Sequence, residues 1–318
     1  MQKKTIYKCA LLVFVFIALA TIDSELRRLD TGKDSQPKMV LNKDIHGKIK
    51  LTSLFDVTNL FKKLNYSIHQ CTKSSCQIPR VVFNKVSKDW QESSHKLPVE
   101  VKKELFLNLM IPLILQANEK IQKEREIVEN EPLNSQKIKN IAIKYRVIDT
   151  KIDAKKTITF DEKLRTNILQ HVDTLPVSLA SAQAVEESGW GTSRFTHQGN
   201  AFFGQWDYSG KGMKPLQQRK KLGNYGIARF KSPLASVESY MLNINRNRAY
   251  QRLRTLRAQL RSKGKMVTGY ELASTLDKYS ERREAYVTGL REIISHNELE
   301  MLDYATLADN PLIQIIVK

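Results

Sequence analysis

Across residues 101–129, apolar side chains recur at steps of three and four: Leu105, Phe106, Leu109, Met110, Leu113, Ile114, Ala117 and Ile121. That spacing follows the helical turn and places one broad apolar face on a helix. A face of this length must be covered by other elements, so the chain needs a helical core. Asn108 and Pro112 interrupt the run and argue against a membrane span, and Pro112 is expected to kink or divide the helix. A shorter helical pattern covers 135–145, with Ile138, Ile141 and Ala142 on one side. Gly (13) and Pro (9) are sparse among 318 residues, which leaves room for one large domain or two modest ones. The expected fold class is mainly α (α+β).

The second half carries stronger local signals. Asp161 or a neighbour can cap a helix holding Leu164, Ile168, Leu169 and Val172, and Pro176 suits the first turn of a helix that runs to Gly189. "YGIARF" alternates and reads as part of a small hairpin. Ser232-Pro233 opens a helix with Val237, Tyr240, Met241 and Ile244 inward, and Thr268 with Glu271 forms a capping box ahead of Leu272 and Leu276. A last helix holds Tyr286, Leu290, Ile293 and Ile294. The expected organisation is a signal peptide or membrane anchor (1–22), a basic, irregular linker (23–95), a helical accessory region (96–158), a catalytic domain (159–305) and a C-terminal tail (306–318).

The formal charge of +19 implies a polyanionic neighbour: nucleic acid, an anionic membrane surface or an acidic wall polymer. The N-terminus narrows that list. Lys3, Lys4 and Lys8 precede an apolar run at 9–20, of secretory length and short for a spanning helix. Ala18-Leu19-Ala20 fits a cleavage pattern, and both removal and retention as an anchor stay open. Either way the chain is expected outside the cytoplasm, periplasmic or in the cell envelope, with 9–20 as an inner-membrane tether if retained. Export argues against nucleic acid. In an oxidising compartment Cys71 and Cys76 stand as a loop disulfide or as two free thiols; C-x4-C without a second ligand pair does not read as zinc. Scattered histidines give no metal site, Ser193 lacks a nucleophile-elbow context, and no cofactor-binding loop is present.

The stretch "SAQAVEESGWGTSRF" ends a helix on two adjacent acids, Glu186 and Glu187. Neighbours on a helix point about 100° apart, so the two cannot share one task. Ala180, Ala184 and Glu187 fall at i, i+4 and i+7 on a small-residue face that another backbone can approach, whereas Glu186 turns toward solvent. Burial of Glu187 beside Trp190 would raise its pKa, which a glycosidase acid requires. The other reading is that Glu187 caps a helix or pairs with a base.

The wider stretch "SLASAQAVEESGWGTSRFTHQGNAFFGQW" resembles the glucosaminidase domain of bacterial peptidoglycan hydrolases, glycoside hydrolase family 73, and its exported Bax-type branch. An A-Q-A-x-x-E-S-G-W-G element at 182–191 is followed by a G-N-x-F-G-like element at 199–204, which here contains one extra residue or is a Bax-type variant. "IPRVVFNKVSKDW", "VKKELFLNLMIPLILQANEKIQKER", "KYRV" and "HVDTLPVSLA" extend the likeness to roughly 78–294. The resemblance implies a lysozyme-like helical lobe with a small β-lobe, preceded by an N-terminal helical extension. It implies Glu187 as catalytic acid, and Tyr279, in "DKYSERREAY", as a tyrosine near the cleft, with Tyr286 left to core packing.

Glycoside hydrolysis usually needs a second carboxylate. The segment 208–237, where the family often carries it, contains no Asp or Glu, which leaves Asp207 and Glu238 as candidates. Glu238 also reads as a first-turn helix acid, and the substrate's own acetamido group is a further route. Among substrate-binding candidates, Asn200 serves the turn into the β-lobe, Phe203 the core and cleft wall, and Trp190 and Trp206 either core packing or sugar stacking. Between Tyr208 and Tyr270, fifteen Lys and Arg face one acid, with "RKK" at 219–221 and the run 246–265 dominating. These read as a solvated basic face and as a rim for anionic glycan strands with their peptide carboxylates. The expected function is hydrolysis of peptidoglycan after N-acetylglucosamine. Lytic transglycosylase or muramidase chemistry and non-catalytic wall binding are the alternatives.

Overall fold

The computed structural model describes residues 45–149, 158–216, 223 and 225–317. The signal-like segment, the start of the expected linker, residues 150–157 and the 219–221 cluster lie outside them.

Regular elements lie inside the expected linker. Strand β1 (Gly47–Leu51) leads to helix α1 (Leu54–Lys63), whose Ser53 and Asp56 form a capping box. A tight loop closed by a Cys71–Cys76 disulfide follows, which settles the thiol alternatives. Next come β2 (Gln77–Ile78), β3 (Val81–Phe83) and a short helix α2 (Lys88–Ser93). The expected tail is also structured, as β6 (Thr306–Leu307) and β7 (Ile313–Val317). β7 lies between β1 and β3 in a parallel three-stranded sheet, with Ile313 opposite both Gly47 and Val81. Asn84 completes it: its side chain accepts from Val317 N at 2.9 Å and donates to Val317 O at 3.3 Å. A two- to five-residue strand has little periodicity of its own, and its pairing partners lie more than 200 residues away, so the linker and tail readings are corrected here.

Helix α3 (Val99–Asn130) runs unbroken through Pro112. An interior proline costs about 3 kcal/mol, whereas fully burying one Leu, Ile or Phe returns about 1.5–3 kcal/mol. Leu105, Phe106, Leu107, Met110, Ile111, Leu113, Ile114 and Leu115 are all buried, which outweighs the proline. Gln116 Nε2 also bridges Pro112 O and Val81 O, both at 2.9 Å. The middle of α3 is therefore covered all round rather than on one face. It is central rather than accessory, and the described residues belong to one compact unit.

The remaining helices wrap this axis. Helix α4 (Gln136–Lys144) is capped by Ser135, and α5 (Glu162–His171) by Asp161, whose Oδ1 accepts from Leu164 N at 2.8 Å. Helix α6 (Val177–Ser188) packs on α3, and α7 (Arg194–Gly199) leads into a two-stranded antiparallel ribbon, β4 (Trp206–Asp207) and β5 (Gly226–Ile227). There follow α8 (Pro233–Arg246), α9 (Gln251–Ser262), α10 (Gly269–Ala273) and α11 (Glu284–His296). The fold is mainly helical with small sheets, as expected. Leu276 falls beyond α10, which is shorter than its capping pattern suggested. Among the described residues, no helix is long and apolar enough to cross a membrane.

Part of the basic run 246–265 faces inward. Arg257 is fully buried: its Nη1 donates to Asp173 O and Thr174 O at 3.0 Å each, and its Nη2 to Gln170 O at 3.1 Å and Asn245 Oδ1 at 2.9 Å. Arg254 Nη1 donates to Ile244 O and Asn247 O at the end of α8. These guanidiniums satisfy carbonyls left over at helix C-termini and complement the helix dipole. They are internal staples, so the basic face is narrower than the run implies.

The N-terminus of α6 is clamped from the far end of the chain. Asp303 accepts from Ser178 N at 2.8 Å, Ser178 Oγ at 2.7 Å and Gly269 N at 3.0 Å. Gly269 has to be glycine, since a Cβ there would sit 2.1 Å from Ser178 Oγ. Replacing Asp303 with Ala strands two backbone N–H groups, and we expect a loss of about 2–3 kcal/mol in urea unfolding.

Candidate active site

Pro176 precedes α6, and every residue from Val177 to Val185 is buried. The helix stops at Gly189, in the left-handed region at φ 57°, and Trp190 (59°) and Gly191 (74°) continue there. Ser188 Oγ accepts from Gly191 N at 2.8 Å and donates to Ala184 O, which folds the S-G-W-G stretch back on the helix end. A Cβ on Gly191 would meet the Phe106 ring and Trp90 Nε1 at 3.1 Å. Trp90 Nε1 donates to Trp190 O at 3.2 Å, and the Trp190 ring packs edge-on to Phe106 with Lys103 Nζ 5.8 Å from its centroid. The contacts on the Trp190 ring are those of a packing residue, half-buried against the core.

Glu187 occupies the last turn of α6. Its Oε1 accepts from Tyr286 Oη at 2.9 Å. Its Oε2 lies 3.0 Å from the position a Cβ would take on Gly204, a residue at φ +57°. Glycine is therefore required at 204 twice over, by conformation and by room for the carboxyl. Burial pushes the Glu187 carboxyl above its ordinary value of 4.5, with Glu186 adding to the rise; the Tyr286 hydrogen bond and Arg282 pull the other way. Glu186 does not simply face solvent: it is half-buried and ion-paired with Arg282, whose guanidinium lies 5.5 Å from the Tyr286 ring centroid. The two acids thus have separate partners.

The tyrosines differ from expectation. Tyr286 is buried, as a core residue, but it is also the one that bonds Glu187. Tyr279 stacks on Tyr286 at 5.5 Å and donates to Phe203 O at 3.0 Å, so it meets the acid through its neighbour. Behind them, Tyr240 Oη donates to Gln183 Oε1, and Gln183 Nε2 donates to Tyr286 Oη at 3.1 Å. Sequence reading missed Gln183, Tyr240, Tyr286 and Arg282 as site residues. A signal existed only for Gln183, a long polar side chain four residues before Glu187 on a helix otherwise built of small and apolar residues.

Neither candidate second carboxylate shares a partner with Glu187. Asp207, on β4, is held in a local turn by Ser209 N at 2.8 Å, which with the Ser209 hydroxyl and Lys211 keeps its carboxyl below the usual range. Glu238 lies in the second turn of α8, not the first, and pairs with Lys120 of α3 at 3.2 Å. Phe203 is buried and stacks on Tyr240 with centroids 3.9 Å apart, which makes it core rather than cleft wall. Asn200 adopts a left-handed cap after α7, and its Nδ2 donates to Phe230 O at 3.1 Å, pinning the ribbon. Gly212 and Gly226 touch backbone to backbone within that ribbon, leaving no room for a side chain at either. Trp206 is 48% exposed and stands beside Tyr225 at 5.0 Å and Tyr208 at 6.0 Å. This aromatic surface matches what a sugar ring stacks on.

A carboxyl whose pKa is raised by folding contributes stability while protonated, below about 4.5, and loses it as pH rises through the folded value. Glu187→Gln should therefore raise the melting temperature at pH 7, with the gain disappearing at pH 4. Gly204→Ala should lower it, because strain and crowding at Oε2 act together.

With this geometry in view, comparisons with known proteins converge. The glucosaminidase family, described as mannosyl-glycoprotein endo-β-N-acetylglucosaminidase, matches residues 164–299. Protein bax of Escherichia coli (strain K12) is 29% identical over 205 residues, covering 62% of this chain and 70% of that protein. No solved structure matches the chain. The matched span runs from α5 to the end of α11 and includes Gln183, Glu187, Tyr240 and Tyr286. Residues 164–299 thus carry the match to the glucosaminidase family, which indicates a peptidoglycan-related glycosidase, and the likeness to Protein bax extends over 62% of the chain.

Proposed function

We propose that the protein is an exported peptidoglycan hydrolase that cleaves the β-1,4 bond after N-acetylglucosamine, with Glu187 as general acid. The observation that carries this reading is the Glu187 carboxyl itself: half-buried, with one oxygen engaged by Tyr286 and the other facing the side-chain-free Gly204. Burial favours the protonated form, which is the form a general acid needs in order to give its proton to the leaving oxygen. Trp206, with Tyr208 and Tyr225, supplies the stacking surface for the glycan, and the exposed lysines Lys211, Lys214 and Lys231 favour an anionic wall polymer. Export rests on the signal-like N-terminus, with residues 9–20 as a tether wherever they are retained.

Because Asp207 and Glu238 are engaged elsewhere, the route we favour uses the substrate's acetamido group. Glu187 donates its proton to the glycosidic oxygen as that oxygen leaves the anomeric carbon, and the acetamido carbonyl oxygen bonds to the same carbon. Water then attacks the anomeric carbon, the acetamido bond breaks, and the water proton passes to the Glu187 carboxylate. Configuration is retained, and the same residue acts first as acid and then as base.

On purified cell walls, Glu187→Gln should lower saccharide release by about 10²–10⁴-fold, whereas Asp207→Asn and Glu238→Gln should keep it within a few-fold. Mass spectrometry should find reducing N-acetylglucosamine ends. Anhydro-muramic ends would instead assign lytic transglycosylase chemistry, and a large loss in Asp207→Asn or Glu238→Gln would restore a two-carboxylate mechanism.

A further inference from the structure

Three hydrogen bonds join buried groups from three helices into one line. Tyr240 Oη of α8 donates to Gln183 Oε1 of α6. Gln183 Nε2 donates to Tyr286 Oη of α11 at 3.1 Å, and Tyr286 Oη donates to Glu187 Oε1 at 2.9 Å. Gln183 and Tyr240 are fully buried, so no solvent can substitute for a lost partner. We propose that Gln183 is the positioning residue that gives this relay its direction, and thereby decides which oxygen of Glu187 carries the acid proton. The proposal rests on Glu187 being the acid.

The argument is one of donor and acceptor count. A tyrosine hydroxyl has one proton and can point it either way, whereas an amide has an acceptor end and a donor end that cannot exchange roles. Tyr240 is stacked on Phe203 and buried, and its proton is taken by Gln183 Oε1. That contact locks the amide with Nε2 toward Tyr286. The Tyr286 oxygen then accepts from Gln183, and its proton goes to Glu187 Oε1. With the amide reversed, Oε1 would draw the Tyr286 proton away from Glu187, and the Tyr240 proton would be left buried without an acceptor, which disfavours that arrangement. Since Glu187 Oε1 accepts a hydrogen bond, the carboxyl proton belongs on Oε2, the oxygen beside Gly204. A relay of this kind presents the proton on one face only, toward the place where no side chain intervenes.

The groups surrounding Glu187 are Glu186 and Arg282, which are paired to each other, and the hydroxyls of Tyr240, Tyr250, Tyr279 and Tyr286. Burial pushes Tyr250 up to about 12 and the other three upward as well, so none of the tyrosines ionises in the working range. A titration seen near Glu187 between pH 4 and 9 therefore reports carboxyls alone.

The test is a carboxyl-carbon NMR titration of the full chain, with Glu187 identified by its loss in Glu187→Gln, run beside pH profiles of cell-wall cleavage. In Gln183→Met the Tyr286 hydroxyl loses its donor and binds the Glu187 carboxylate less strongly, so the Glu187 midpoint should rise by about 0.5–1 pH unit. Gln183→Glu adds a carboxylate that takes the Tyr286 proton for itself and repels Glu187, so the rise should be larger. Tyr240→Phe, which unlocks the amide but leaves it in place, should shift the midpoint in the same direction by less. In the cleavage assay the alkaline limb of kcat/KM should move with the NMR midpoint, and kcat should fall about tenfold with KM little changed. A Glu187 midpoint that is the same in wild type, Gln183→Met and Tyr240→Phe overturns the proposal, even if activity falls. If the wild-type protein releases no saccharide, the functional reading fails while the NMR titration still decides the relay. Should Gln183→Glu not fold, the other two variants carry the result.

Discussion

Placement of an ionisable carboxyl at the end of a helix that is buried along nearly its whole length is the constraint on which the rest of this structure turns. Helix α6 has no solvent face between Val177 and Val185, so Glu187 is positioned by packing rather than by a mobile surface turn. Small residues at Ala180, Ala182 and Ala184 allow neighbouring elements to close on it. The consequence is that most polar side chains on α6 are satisfied by packed protein groups rather than by water. Ser178 meets Asp303, Ser188 bonds Ala184 O, and Gln183 meets two tyrosines. The polar residues of this helix thus tie together α8, α11 and the segment near residue 303, and the carboxyl inherits their rigidity.

Positive charge serves two ends in this protein. Arg254 and Arg257 lie inside, where their planar guanidiniums each satisfy several carbonyls at once, which lysine could not do. Asp173, itself buried, also takes Arg261 Nε at 2.7 Å. Lys211, Lys214 and Lys231 remain exposed around the ribbon. A net charge of +19 is therefore not a uniform surface property, and inferring a partner from it requires knowing which cations are already engaged.

The chain ends matter more than their composition suggests. β1 and β3 from the first hundred residues enclose β7 from the last ten, and Arg80 joins both regions by donating to Ala308 O at 3.1 Å while pairing with Glu119 on α3 at 2.8 Å. Asp303, beyond the span matched by the glucosaminidase family, holds the start of α6. The matched span is thus supported by elements outside it, and the folding unit is larger than the family domain.

What the sequence determined by itself is local. Apolar spacing placed α3 and α4, the capping signals at Asp161, Ser232 and Thr268 set helix starts, Pro176 opened α6, and the glycines at 189 and 191 marked the turn that ends it. The rotation of Glu187 away from Glu186 also followed from helical geometry alone, because it depends only on residues a few positions apart. Tertiary structure alone decided what lies opposite them. Tyr286 rather than Tyr279 reached the acid, Glu238 found Lys120, Glu186 found Arg282, and the short strands found one another. The side-chain pairs join residues about 100 positions apart and β7 lies more than 200 positions from β1 and β3, and a hydrogen bond across such a gap leaves no periodic trace in the chain. A helix face is written in spacing, but its partner is chosen only when the core closes around it.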